Sequence, residues 1–264
     1  MKTNKILLNV SNIDDIKEYK KLGVSNFLFP LKDFSIGYNS FSFDEIKNID
    51  ENVYVLVNRI LTDDDIDNIL KLNIPSNVKG FVVEDVGLFY ELKNKNFELI
   101  LFQNHLNNNF ETINFWLKHF DSLVISTDIT KEEIKEIILK AKKPLVLNTF
   151  GYPMIMYSRR HLVSNYFKHY GKPLKNEIYV KENVTKNNFI FKESNLGTAV
   201  FNNKINDFRD LANEIDDEKI KYYLYFSNDL SFEEISDAIN GFEVANTTSG
   251  FLDKKTIYRV GDIK

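Results

Sequence analysis

Glu84 and Asp85 stand side by side at the end of an apolar run, Val82-Val83. Two neighbouring acids push their pKa values apart, so one can act as acid while the other stays a charged base. A plainer reading competes with that one. Successive residues of an extended strand point to opposite sides, and Asp85 is well placed to cap a following helix. Other polar residues close apolar runs in the same manner: Asn9, Asn58 with Arg59, Gln103, Ser126 and Asn148. If the runs are parallel strands of one barrel, their C-terminal ends bring these groups to one rim, where such folds bind ligands.

Several chemistries are excluded by residue type. The chain of 264 residues has no Cys, which removes disulfides, thiolate zinc sites, a Cys nucleophile and a conventional iron–sulfur cluster. Its four His, at 105, 119, 161 and 169, never show the His-Glu-x-x-His spacing that presents a zinc site. No metal and no cofactor is expected. Gly-x-Gly-x-x-Gly, a Walker-type Lys loop and a Gly-x-Ser-x-Gly elbow are also missing. The net charge of −4 argues against a surface that coats nucleic acid throughout, although it leaves room for a local basic patch. No run of 18 apolar residues occurs, and the segment after Met1-Lys2-Thr3 is too short for a signal sequence. A cytoplasmic protein without a membrane partner is the expectation.

The elements that must position these groups follow from periodicity. Strand-like runs at Ile6–Val10, Asn26–Phe29, Val53–Asn58, Val78–Val83, Leu99–Phe102, Leu123–Ile125, Pro144–Leu147 and Tyr222–Phe226 alternate with helix-like segments. Helix starts are marked at Ser11 or Asn12, Thr62, Thr130 and Ser231, and Gly23 stops the first helix. A further helix-like stretch covers Ile205–Ile215. Eight βα units predict an α/β fold, a TIM-type (β/α)8 barrel spanning 1–264 as one domain, with an insertion at 148–203 after strand seven. An open doubly wound sheet is the alternative.

The stretch after strand seven, Phe150-Gly151-Tyr152-Pro153-Met154 through Tyr166-Phe167, carries a resemblance. It is similar to the collagenase-like peptidase family, peptidase family U32, whose marker reads His-Gly-x-x-Cys, three residues, Ser, two residues, Cys, two residues, Ser. Gly151, Ser158, Arg160 and Ser164 match at the same spacing. Asn58, the acid region Glu84-Asp85, Gly197-Thr198-Ala199-Val200-Phe201-Asn202, and Gly250-Phe251-Leu252 with Thr256-Ile257-Tyr258 resemble further family segments in order. The departures are equally specific. Phe150 stands where the marker has His, and Met154 and His161 stand where it has Cys. Acids that members often carry on strand seven are replaced around Pro144 and Val146.

Relatives that hydroxylate tRNA uridine, ribosomal RNA cytidine or the ubiquinone ring are understood to hold an iron–sulfur cluster on four Cys. One thioether and one imidazole do not replace four thiolates. The resemblance therefore implies a cluster-free partner or degenerate paralogue in RNA hydroxylation, working with a Cys-containing relative. It also leaves open a U32-type peptidase, with Glu84 and Asp85 as its catalytic candidates, and a non-catalytic binding scaffold. Between Ile155 and Lys186 seven Lys/Arg face two acids, with Tyr157, Tyr166, Phe167, Tyr170 and Tyr179 interleaved. That mixture suits RNA, because cations neutralise phosphate while rings stack on bases; a solvated surface with buried rings is the bland alternative. The substrate-binding candidates are Asn58, Arg59, Gln103, Arg159, Arg160 and His161. The forked Arg159-Arg160 pair could instead hold a small carboxylate such as prephenate, which the RNA-hydroxylating relatives are thought to require.

Overall fold

A computed structural model describes residues 2–103, 105–184 and 186–254. Asn104 and the expected family-like ending Thr256-Ile257-Tyr258 lie outside the described residues. The first half alternates strand and helix: β1 (Ile6–Asn9), α1 (Ile16–Lys21), β2 (Asn26–Pro30), α2 (Phe43–Ile46), β3 (Asn52–Val57), α3 (Asp63–Lys71), β4 (Val78–Val83), α4 (Val86–Leu92), β5 (Glu98–Leu101), α5 (Phe110–Trp116), β6 (Ser122–Leu123), α6 (Lys131–Lys140) and β7 (Leu145–Gly151). Then come β8 (Met154–Ser158), α7 (Leu162–His169), β9 (Glu177–Lys181), β10 (Asn188–Ser194) and β11 (Gly197–Asn202). The chain continues through β12 (Ile205–Asp207), α8 (Arg209–Glu214), β13 (Ile220–Phe226), α9 (Phe232–Asn240) and β14 (Thr247–Thr248).

Local chemistry sets the helix starts. Thr62, Thr130 and Ser231 each close a capping box with the acid three residues on, and Asn109 accepts from the Thr112 amide. The stretch expected as one helix from Ile205 begins instead with a strand, because Asn206 and Asp207 pair with Gly151 and Phe150; the helix starts only at Arg209.

All eight expected runs form strands, but the closed (β/α)8 barrel is not what they build. The ladder is a ten-stranded, mostly parallel curled sheet in the order β14-β12-β7-β13-β1-β2-β3-β4-β5-β6. Its β6 is two residues long. Between β6 and β7 there is one bridge, Val124 to Val146, with the Ile125 amide donating to the Val146 carbonyl at 3.0 Å. The far end of that same β7 edge pairs antiparallel with β12, which in turn pairs with β14. Two short strands thus take the place of a continuous eighth ladder. This corrects the barrel expectation.

Alternation along the strands sorts the core into two faces. Leu7, Leu28, Leu56, Val82, Ile100, Val146 and Leu224 meet on the concave side, where Phe102 and Phe226 close over them. Ile6, Phe27, Val55, Phe81, Leu101 and Tyr223 pack outward beneath the helices. Residues 154–202 carry a separate four-stranded sheet, β8-β11-β10-β9, whose strands are all antiparallel.

Candidate functional site

The rim of the curled sheet divides the sequence candidates into structural and free groups. The Glu84 amide donates to the Val57 carbonyl at 3.0 Å, so the ladder continues one residue past β4. Alternation then puts Glu84 on the concave side with Val82, and Asp85 on the helix side with Val83. Asp85 caps α4: its two oxygens accept from the Gly87 amide at 2.7 Å and the Leu61 amide at 3.0 Å. The two acids do not share a task.

Asn58 is fully buried and exchanges two hydrogen bonds with Ile36, accepting at 3.0 Å and donating at 3.1 Å, which pins the loop after β2. Arg59 is buried and donates to the Asp33 carbonyl at 2.8 Å and to Asp65 at 2.5 Å. Its Nε has no hydrogen-bond partner among the described residues. Gln103 donates to the Glu84 carbonyl oxygen at 3.3 Å. Ser126 accepts from the Asp128 amide at 3.2 Å. Asn9 is buried against the Leu28 carbonyl.

A cavity of about 530 Å³ opens beside Glu84, between the strand ends and β8. Its walls include Ile60, Leu106, Met154, Met156 and Tyr157. Burial pushes the Glu84 carboxyl up to about 7; His105 works against the rise and Asp85 adds to it. Tyr157 is raised too, chiefly by burial, with Arg59 and Arg159 opposing. Its hydroxyl is buried without a hydrogen-bond partner among the described residues. His105 ties the rim to the small sheet, since one ring nitrogen pairs with Asp128 and the other lies 3.1 Å from the Ile155 carbonyl. Sequence reading named Glu84 but missed Tyr157 and the His105–Asp128 pair as its neighbours.

The marker positions do not fit a thiolate-held cluster. Met154 is buried in an apolar group with Ile36, Ala199 and Phe201, while His161 is exposed just before α7 and makes no capping bond. Among the described residues no three His, Asp or Glu side chains gather to hold a metal ion. The remaining marker groups hold the backbone in place. Glu193 accepts from the Val163 and Ser164 amides at 2.8 and 3.0 Å, from the Thr198 hydroxyl at 2.9 Å, and from the Ser164 hydroxyl.

Arg159 and Arg160 are exposed in the turn between β8 and α7. Beyond them α7 presents Tyr166 and Tyr170, rings 4.8 Å apart between centroids, with the Lys172 ammonium 5.8 and 5.9 Å from them. A groove of about 700 Å³ runs between α7 and β9, lined by Tyr166, Phe167, Lys175, Tyr179 and Lys181. Sequence reading had grouped these residues by composition; the structure leaves Tyr166, Tyr170 and Tyr179 exposed at 49%, 59% and 72%, so they are not core.

Among the described residues no helix is long and apolar enough to cross a membrane. No curated protein matches the sequence. Solved structures share its general shape at low similarity. A spore cortex-lytic enzyme of Bacillus megaterium has 12% identity and a TM-score of 0.43, over 94% of this chain and 76% of that one. A chitinase of Chromobacterium violaceum has 10% identity and a TM-score of 0.43, over 89% of this chain and 98% of that one. Neither likeness is strong enough to transfer chemistry. The family model of peptidase family U32 matches residues 9–174, more than half of the chain and the whole path from the end of β1 through α7, so this chain belongs to peptidase family U32.

Proposed function

We propose that this chain is a cluster-free member of its family that binds RNA in the cytoplasm and acts beside a Cys-bearing relative in RNA hydroxylation, with tRNA uridine as the target. The observation that supports it is the exposed aromatic and lysine face of α7 and β9, set on a family frame that lacks every thiol. Rings of this kind stack on unpaired bases and ammonium groups offset phosphate charge, which suits single-stranded segments of a folded RNA. Oxidation then takes place on the partner polypeptide, and this chain supplies grip. Mass spectrometry of tRNA from cells with and without the gene tests the reading. Hydroxylated uridine falls when the gene is removed; unchanged modification overturns it.

A hydrolase is the second reading, favoured by the Glu84 carboxyl, which burial holds near 7 and therefore in the range of a general acid. It predicts cleavage of gelatin or a peptide library by the purified protein, abolished in Glu84→Gln. A pure scaffold shows neither activity and still co-purifies with a partner.

A further inference from the structure

We propose that the cavity between Glu84 and Tyr157 binds a primary amine carried on an apolar body, with the Glu84 carboxylate as its counter-ion. The charge of the lining points to a cation. Glu84 and Asp85 are its acids, and among the described residues no Lys or Arg lines it. Asp85 has committed both oxygens to backbone amides, whereas the Glu84 carboxyl accepts no hydrogen bond among the described residues. His105, which lines the same cavity, is held by Asp128 and the Ile155 carbonyl. Glu84 is therefore a half-buried acid without a paired cation, a costly arrangement that a bound ammonium relieves. Tyr157 lines the same cavity with its ring, while its hydroxyl is closed off from solvent and has no hydrogen-bond partner among the described residues.

The apolar walls define the rest of the ligand. Ile60, Leu106 and Met156 are exposed hydrophobic side chains, and all three line this cavity with Met154 and Val86. A hard divalent cation needs six or more oxygen donors, which these walls do not supply. Thioether and aliphatic surfaces instead favour an aromatic or branched hydrocarbon body next to the amine. Amine binding and loss of the Glu84 proton are linked, because the ammonium stabilises only the carboxylate.

Calorimetric titration with phenethylamine at pH 8 tests the site, with its N-acetyl derivative and 3-phenylpropionate as the neutral and anionic counterparts. The amine binds, and both counterparts bind at least about ten-fold more weakly. Glu84→Gln lowers amine affinity at least about ten-fold. For the unmodified protein, lowering the pH from 8 to 6 weakens the amine about ten-fold as Glu84 takes up its proton. Equal affinity for the acetylated compound, indifference to Glu84→Gln or to pH, or no binding of the amine each overturns the proposal. Should Glu84→Gln not fold, the comparison of ligands and the pH dependence of the natural protein still decide it.

Discussion

Glu84 and Glu193 are both half-buried carboxylates, yet the regions around them treat charge in opposite ways. At the rim of the curled sheet, Glu84 faces apolar walls and receives no hydrogen bond among the described residues, so its acid form is favoured. In the small antiparallel sheet, Glu193 is also penalised by burial. There the hydroxyls of Ser164 and Thr198 and the amides of Val163 and Ser164 outweigh that penalty and hold the carboxyl below its ordinary range. One region leaves its acid without a hydrogen bond among the described residues, and the other uses its acid to hold backbone and hydroxyl groups. Of the family-like segments, Ser164 and Thr198 therefore build the frame, while Glu84 faces the cavity.

The sharpest way to break this division is to damage the frame where the two regions join. Gly151 has φ +125°, and a Cβ there would lie 2.6 Å from the Phe226 carbonyl oxygen. Both the left-handed backbone and the contact oppose any side chain. Gly151→Ala is expected to cost about 3 kcal/mol or more, read as a shift in the urea midpoint. A midpoint within error of the natural protein would show that the joint between β7 and β13 is looser than its geometry implies.

Removing Glu193 comes next. Glu193→Ala leaves the Val163 and Ser164 amides and the Ser164 hydroxyl at the start of α7 without their acceptor, while the Thr198 hydroxyl keeps the Arg160 carbonyl, at an expected cost of about 2 to 3 kcal/mol near neutral pH. Because the folded protein holds this carboxyl below its unfolded value, the contribution is present above the ordinary glutamate range and fades as pH falls through the lowered folded value. The natural protein and the variant should therefore converge in stability in acid. A difference that persists unchanged at low pH would assign the effect to packing instead.

Glu84 has the reverse sign. Its folded value of about 7 lies above the unfolded one, so the folded state holds the extra proton and loses stability as pH rises through that interval. Glu84→Gln should stabilise the protein by about 2 kcal/mol at pH 8 and by almost nothing at pH 4, measured by urea unfolding at both. Stabilisation equal at both pH values would mean that the cavity does not hold a strained charge.

Much of this arrangement was readable in the sequence, and the unreadable part has a physical cause. The eight parallel strands are marked by β-branched runs between polar ends, and the caps at Thr62, Thr130 and Ser231 by acids three residues on. Closure of the sheet is not a local property. Whether β7 meets β6 or β12 depends on how far the sheet curls and on the two-residue length of β6, neither of which periodicity encodes. The site shows the same limit. Glu84 stood out as one of an adjacent pair, but its isolation from Asp85 needs only strand alternation, whereas the approach of Tyr157 and His105 needs the packing of β8 over the rim.

The smallest effect tests the claim that the exposed face of α7 is a binding surface and not part of the frame. Tyr170 is more than half exposed and touches Tyr166 and His169 on its own helix, so its removal exposes little buried surface. Tyr170→Ala should change stability by no more than about 0.5 kcal/mol, read from the urea midpoint, since Tyr170 caps the end of α7 through its backbone N–H, which alanine keeps, and its side chain is surface. Affinity for a fluorescent single-stranded RNA should nevertheless fall by about 1 kcal/mol, roughly five-fold, the loss of one base stacked on a ring. Lys172→Ala should weaken the same complex and flatten its salt dependence, because an ammonium that neutralises phosphate releases a counter-ion on binding. Unaltered RNA affinity in both variants, with stability intact, would leave the rings and lysines as solvated surface and return attention to the cavity at the strand ends.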